Sequence, residues 1–341
     1  MVLILLAIIL ARELYPYTSF FSPQAVDGYE VSEVATGLGG PTCLVWKNES
    51  AVYICDRDAG RIILYDITST SSVVVLSGLD RPHGFAIDEQ RAFVSEAGTL
   101  SMFELEHPSV LTNQTVLVTG IESGNHQTNA VTVLENGSLI WHSGSTCNVC
   151  DEDDERNGAL LWVNASTGEH GILARGVRNS FDGVWVEGHG YFFTDNGRDW
   201  EGDHPREELN FLISGGDYGW PRDDPDHPIP EGSIAPIGTW TPHTSVNGID
   251  VRPSNSSIPG LPSDQGFTLY ATVYGSWNTI LPQGHEIIRI DVRFDDSRST
   301  YTTEVRQFVS DAGTPLPLAF NPNGDLYYAT FGNGGALYKV S

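Results

Sequence analysis

A phrase that returns six times constrains this chain more than any other feature. It runs as a Gly-rich or polar lead-in, an apolar strand, a tight turn, a second strand, a loop and a third strand. Copies begin at Gly37 (GLGGPTCLVWKNESAVYICDRDAGRIILYDI), Gly78, Gly124, Gly176, His243 and Gly313 (GTPLPLAFNPNGDLYYATFGNGGALYKV). One such unit cannot bury its apolar faces alone, and a spacing of roughly 40 to 70 residues suits propeller blades whose insertions loop out to one face. Solenoid repeats are shorter and more uniform. Asn-Gly turns between alternating strands, as at Glu135-Asn136-Gly137 and Asn323-Gly324, mark the hairpins. The pattern predicts an all-β chain, a six-bladed β-propeller of four-stranded antiparallel sheets, as one domain over residues 29–341. The segment Tyr29 to Thr36 is expected to supply the outer strand of the sixth blade. A chain of 341 residues would otherwise suggest two domains at roughly 150 residues each, but radial repetition removes that limit.

In a propeller the six lead-ins converge around the axis on one end of the ring. They carry Thr42, His83, His126 with Gln127, Arg178 with Asn179, His243 with Thr244, and Thr314. Residues far apart in sequence would thus form one pocket rich in proton acceptors and anion-binding groups.

Charge narrows the partners. The net charge is -26 and the only lysines are Lys47 and Lys339. Nucleic acid is excluded as a partner on this reading, because phosphate binding needs a basic footprint. So acidic a surface fits either a protein kept soluble at high salt or an ordinary acidic secreted one.

Residues 1–25 read as a signal peptide or a membrane anchor. The apolar run Val2 to Leu10 is short of the ~20 residues a spanning helix needs and matches a signal-peptide core. Cysteine usage agrees with export. Cys43 and Cys55 flank the turn at Lys47 to Ser50, where they would face each other across a hairpin. Cys147 and Cys150 form a CNVC pair with no second CxxC to complete a zinc site, so two structural disulfides are expected. Five N-x-[ST] sequons begin at Asn48, Asn113, Asn136, Asn164 and Asn255, several in predicted turns.

Six phrases give the chain a family likeness: GNHQTNAVTV at Gly124, SGSTCNVCDED at Ser143, GVRNSFDGVWV at Gly176, TDNGRDWEGDHPREELN at Thr194, GGDYGWP at Gly215 and YGSWN at Tyr274. On these the chain resembles, from about Gly37 to Val340, the soluble dehydrogenases of glucose, aldoses and sorbosone that depend on pyrroloquinoline quinone (PQQ), with CNVC, NGRD and GSWN favouring the sorbosone-type branch. The resemblance implies a six-bladed propeller that oxidises a sugar by hydride transfer to PQQ. It makes His126 the general base, which suits a neutral imidazole at operating pH. It places Gln127, Arg178, Asn179 and Asn196 at the cofactor, and the carbonyls of Gly197 and Arg198 on a calcium ion that polarises the quinone. Glu207 and Glu208 would reach that ion through water. The implied partners are a small-molecule sugar and an external electron acceptor.

The chain departs from the family pattern at several places. Ser145 stands where glucose dehydrogenases carry an Asp that orients the base. Thr279, Thr314 and Leu316 stand where basic residues are common. Arg222, Arg252 and Arg289 are the candidates to compensate, and the insertion Gly215 to Trp240 is expected to overhang the pocket. Two other functions compete: a calcium-dependent hydrolase of the lactonase type, which would need axial carboxylates, and a noncatalytic binding propeller at the cell surface.

Overall fold

The computed structural model describes residues 22–341, except 201, 203, 277, 278, 280 and 281. The apolar run Val2 to Leu10, and Trp277 and Asn278 of the YGSWN phrase, lie outside the described residues.

All regular structure among the described residues is strand, in six sheets. The first blade shows the plan: Pro41–Trp46, Ala51–Asp56, Arg61–Asp66 and Ser71–Ser77 pair antiparallel in sequence order from the axis outward. Blades two to six start at the inner strands Gly84–Ile87, Thr128–Val133, Gly183–Val186, Val246–Val251 and Pro315–Phe320. Neighbouring inner strands touch all the way round, including the first with the sixth.

The strands read as apolar on both faces because each blade is covered by two neighbours. Six buried clusters result, one per blade junction. Phe93 of the second blade packs with Trp141 and Leu161 of the third, and the Trp141 indole N–H donates to Ser95 Oγ across the same junction at 2.8 Å. Tyr270 and Phe308 of the fifth blade meet Phe320 and Tyr328 of the sixth. Burying a side chain of this size contributes about 1.5–3 kcal/mol, so the junctions hold the ring together.

The sixth blade is closed from the other end of the chain. Val31–Thr36 pairs antiparallel with Ala336–Val340, as the repeat pattern required. Gln24–Ala25, placed at the end of the leader on sequence grounds, pairs with Thr300–Ser310 at the outer edge of the fifth blade. The segment after Gly215 also differs from expectation. Gly216–Asp217 adds a parallel edge to the third blade and Gly238–Trp240 is the outer strand of the fourth, so this stretch bridges two blades at the side. No described residue between 215 and 240 lines the pocket at the lead-in end.

Both expected disulfides are present, and no described cysteine is free. Cys43 and Cys55 face each other directly across the first hairpin, as the turn between them required.

Candidate active site

The lead-ins and the loops joining second to third strands share one end of the ring, and there they enclose a cavity of about 470 Å³. That is within the range of small-molecule and cofactor sites. Its lining includes His126, Arg178, Asn179, Asn196, Gly197 and Glu207, drawn from the third and fourth blades.

His126 precedes the third inner strand, and its ring is set from the next loop. Nδ1 lies 2.8 Å from Ser145 Oγ and 3.2 Å from the Ser145 carbonyl. A carbonyl can only accept, and the Ser145 hydroxyl spends its own hydrogen on the Cys147 carbonyl at 2.8 Å. Nδ1 therefore carries the proton, and Nε2 is the bare, basic nitrogen. Burial, then the nearby positive charge of Arg178, push the His126 pKa down to about 3, so the ring is neutral in ordinary conditions. Gly144 makes this closeness possible, since a Cβ there would sit 2.6 Å from the Cβ of His126. Successive residues of an extended chain face opposite ways. Gln127 accordingly turns inward, where it is buried and donates to the carbonyls of Arg81 and Thr128. It does not line the cavity, contrary to the expectation that it meets a cofactor.

The Cys147–Cys150 loop also fixes Arg178. Asn148, between the two cysteines, accepts Arg178 Nε with its carbonyl at 3.2 Å and Nη2 with its side-chain oxygen at 3.0 Å. Nη1 donates to the Asn196 carbonyl at 3.2 Å, and Nη2 pairs with Asp199 at 2.8 Å. Four of the five guanidinium N–H groups are thus engaged within the protein, leaving at most one for a ligand. Asn179 is set from below: His83 Nδ1 contacts Asn129 Oδ1 at 2.8 Å, and Asn129 donates to Asn179 Oδ1 at 3.1 Å. This orients the Asn179 amide so that its NH₂ is the end offered to the cavity. His83 itself lines a smaller axial cavity of about 70 Å³ with Phe181 and Asp182, outside the main pocket.

Glu207 organises the remaining wall. It is buried, and its carboxylate accepts N–H groups from Gly197 at 3.1 Å, Thr244 at 2.9 Å and Ser245 at 3.0 Å. Arg198 turns away from the cavity, its guanidinium on the Pro221 carbonyl and Asp223. Glu208 and Asp223 line a second small cavity behind Gly197. The other arginines do not serve the pocket: Arg222 pairs with Asp217, Arg289 with Asp291, and Arg252 bonds the Ser256 and Ile258 carbonyls. Thr314 and Thr330 line a separate cavity of about 420 Å³ beside the sixth blade.

No family model matches the chain. An uncharacterized protein of Borreliella burgdorferi is 27% identical over 229 residues, 60% of this chain, and the match spans 58% of that protein's length. A pyrroloquinoline quinone-dependent sugar dehydrogenase of Hypocrea jecorina is 22% identical over 380 residues, covering 92% of this chain and 88% of its own. Among solved structures, the holo PQQ domain of pyranose dehydrogenase from Coprinopsis cinerea superposes with a TM-score of 0.78 at 16% identity, over 96% of this chain and 98% of that one. The fold is that of PQQ-dependent sugar dehydrogenases. A calcium structure of a Trichoderma reesei carbohydrate-active enzyme of family AA12 gives a TM-score of 0.76 at 18% identity, over 96% and 99% of the two chains.

The donor set fits a hard cation. Asn196 is buried and lines the cavity, its amide N–H is given to the Asn179 carbonyl at 3.0 Å, and its Oδ1 is buried without a partner. An oxygen in that state suits a cation that binds only oxygen. Asn196 and Gly197 would hold it, with Glu207 fixing the Gly197 peptide from behind. An anionic cofactor fits by size, with the Asn179 NH₂ and the one remaining Arg178 N–H as donors and the cation offsetting its charge. The other cluster of metal-ligand types among the described residues, Cys147, Cys150 and Glu152, is spent, because both sulfurs are in a disulfide.

Proposed function

We propose that this chain is an exported quinoprotein oxidoreductase that oxidises an aldose or related sugar, with His126 as general base, PQQ as cofactor and calcium as Lewis acid. The observation that carries the reading is the forced tautomer of His126, a neutral pocket-lining imidazole whose Nδ1 proton is held by Ser145. A base of this kind takes a proton from a substrate hydroxyl at Nε2 without first losing one of its own. The chemistry PQQ supplies when bound is a two-electron quinone acceptor, with the cation polarising its carbonyl.

The chain's own residues do the rest. Ser145 stabilises the imidazolium formed when Nε2 takes the proton, since both its oxygens accept from Nδ1–H. Arg178 then opposes that charge and favours return of the proton to solvent. Asn179 presents its NH₂ to electronegative atoms in the cavity, held by the Asn129 and His83 relay. A lactonase-type hydrolase is disfavoured, because the lining carboxylates are committed: Asp199 to Arg178, and Glu207 to three backbone N–H groups.

The test is reconstitution with PQQ and calcium, followed by dye reduction across a panel of aldoses. The reading expects turnover and a change in quinone absorbance. His126→Ala should still bind PQQ by that absorbance while turnover falls by about two to four orders of magnitude. No absorbance change and no turnover with any aldose would overturn the assignment in favour of a binding module.

A further inference from the structure

The five sequons do not share one geometry. Asn48, Asn136 and Asn164 occupy tight turns, and in each the side-chain oxygen is capped by the sequon's own serine. Asn48 Oδ1 accepts the Ser50 N–H at 2.9 Å and the Ser50 hydroxyl at 3.3 Å. Asn136 Oδ1 accepts the Ser138 N–H at 3.0 Å and its hydroxyl at 2.6 Å. Asn164 Oδ1 accepts the Ser166 N–H at 2.9 Å. Donation to the oxygen draws electron density from the amide and makes an Nδ2 proton easier to lose. Asn48 and Asn136 are exposed and Asn164 is half-buried.

At the other two sequons Nδ2 itself is engaged. Asn113 sits in an outer strand with φ 50° and donates Nδ2 to Glu104 at 2.7 Å. Asn255 donates Nδ2 to the Pro322 carbonyl of the next blade at 2.9 Å, and the Ser256 that follows it is buried. A sugar on either nitrogen would have to stand where that partner stands.

The topology adds a second, independent point. The Asn48 and Asn136 turns join first to second strands, and the Asn164 turn joins third to fourth. Turns of both kinds open on the end of the ring opposite the pocket, which is built from lead-ins and second-to-third loops. A bulky, hydrated substituent there leaves the mouth of the cavity clear.

We propose that Asn48, Asn136 and Asn164 are N-glycosylation sites and that Asn113 and Asn255 are not, so that one end of the ring carries glycans and the other is bare. The reaction joins Nδ2 to C1 of a lipid-linked oligosaccharide. The C1–O bond to the lipid phosphate breaks, the lipid phosphate leaves, and the Nδ2 proton passes to the transferase, with no change of oxidation state. The inference rests on export, not on the dehydrogenase reading.

The experiment is intact-mass and peptide mass spectrometry on the full protein recovered from the medium or cell surface of its own organism. The expected result is an excess mass of three glycans, peptides containing Asn113 and Asn255 at polypeptide mass, and loss of one glycan in each of Ser50→Ala, Ser138→Ala and Ser166→Ala. A bare chain outside the cell, or a glycan on Asn113 or Asn255, would overturn the assignment while leaving export intact. A bare chain confined to the cytosol would overturn export and the assignment with it.

Discussion

Replacing Ser145 separates the two ways in which the base is controlled. Ser145→Ala removes the 2.8 Å contact from Nδ1 to the hydroxyl but keeps the 3.2 Å contact to the Ser145 carbonyl. A neutral hydrogen bond contributes about 1 kcal/mol net, and 1.36 kcal/mol is a factor of ten, so kcat should fall only about fivefold. The acid limb of the pH profile should move down by less than about one pH unit, because burial and Arg178 lower the His126 pKa and the lost hydroxyl contact adds only about 1 kcal/mol to that. Ser145→Asp acts on the other lever: a carboxylate beside Nδ1 favours the imidazolium and raises the pKa. Since only the neutral ring is a base, activity disappears as pH falls through that pKa. The wild-type limb should therefore lie well below the usual histidine range, at about 3, and that of Ser145→Asp should move up toward 6.5. The assay is the initial rate of dye reduction with saturating PQQ and calcium, profiled as kcat/KM from acid to neutral pH. A hundredfold loss in Ser145→Ala, or an unmoved limb in Ser145→Asp, would refute the reasoning.

Three further outcomes follow from the same structure. A calcium chelator should lower the melting temperature and added calcium restore it, by about 2.7 kcal/mol at a hundredfold excess over Kd; a melt indifferent to both would remove the cation from the Gly197 wall. Replacing Cys43 and Cys55 by alanine should cost about 3 kcal/mol of stability and spare turnover, whereas serines at Cys147 and Cys150 should depress PQQ affinity and turnover together, because that loop holds both Ser145 and Arg178; denaturant melts and cofactor titration distinguish the pairs. His142, fully buried between Ser180 and Tyr191, is pushed down to about 3 by burial. Its unfolded form takes a proton near pH 6.5 and its folded form does not, so the stability it contributes is full above 6.5 and is lost as pH falls toward 3. Asp182 and Asp250, raised by burial to about 7 and about 6, act the other way, so the readout is the difference between wild type and His142→Gln, whose melting temperature should fall less steeply below pH 6.5.

The ring was legible in the sequence because a blade is a local object: its turns, alternation and length lie within one copy of the repeat. The Cys43–Cys55 bridge was legible for the same reason, as a hairpin dictates which residues face each other. His126 came into view only through the likeness of its phrase to known proteins, since nothing local distinguishes it from His83, which the fold sends into the axis. Gln127 was misplaced because a run of polar residues hides the alternation that turns every second side chain inward. The Asn148 clamp was invisible, because CNVC suggests sulfur chemistry and its asparagine acquires partners only when the third and fourth blades meet. The closure of Arg178 was hidden likewise: Asp199, which occupies it, lies 21 positions away on another loop.

The seam of the sixth blade sets the order in which the molecule can be finished. Val31 pairs with Val340, so the last sheet waits until nearly the whole described chain is present. Until then the two end blades of the growing arc each show solvent an apolar sheet face that the closed ring covers. A product cut short before Ala336 would lack the strand that Val31–Thr36 grips, leaving the Gln24–Ala25 pairing with the fifth blade as the tie at that end and its arc adhesive. The seam thus acts as a check in which covering those sticky faces is reserved for chains that carry the Ala336–Val340 strand.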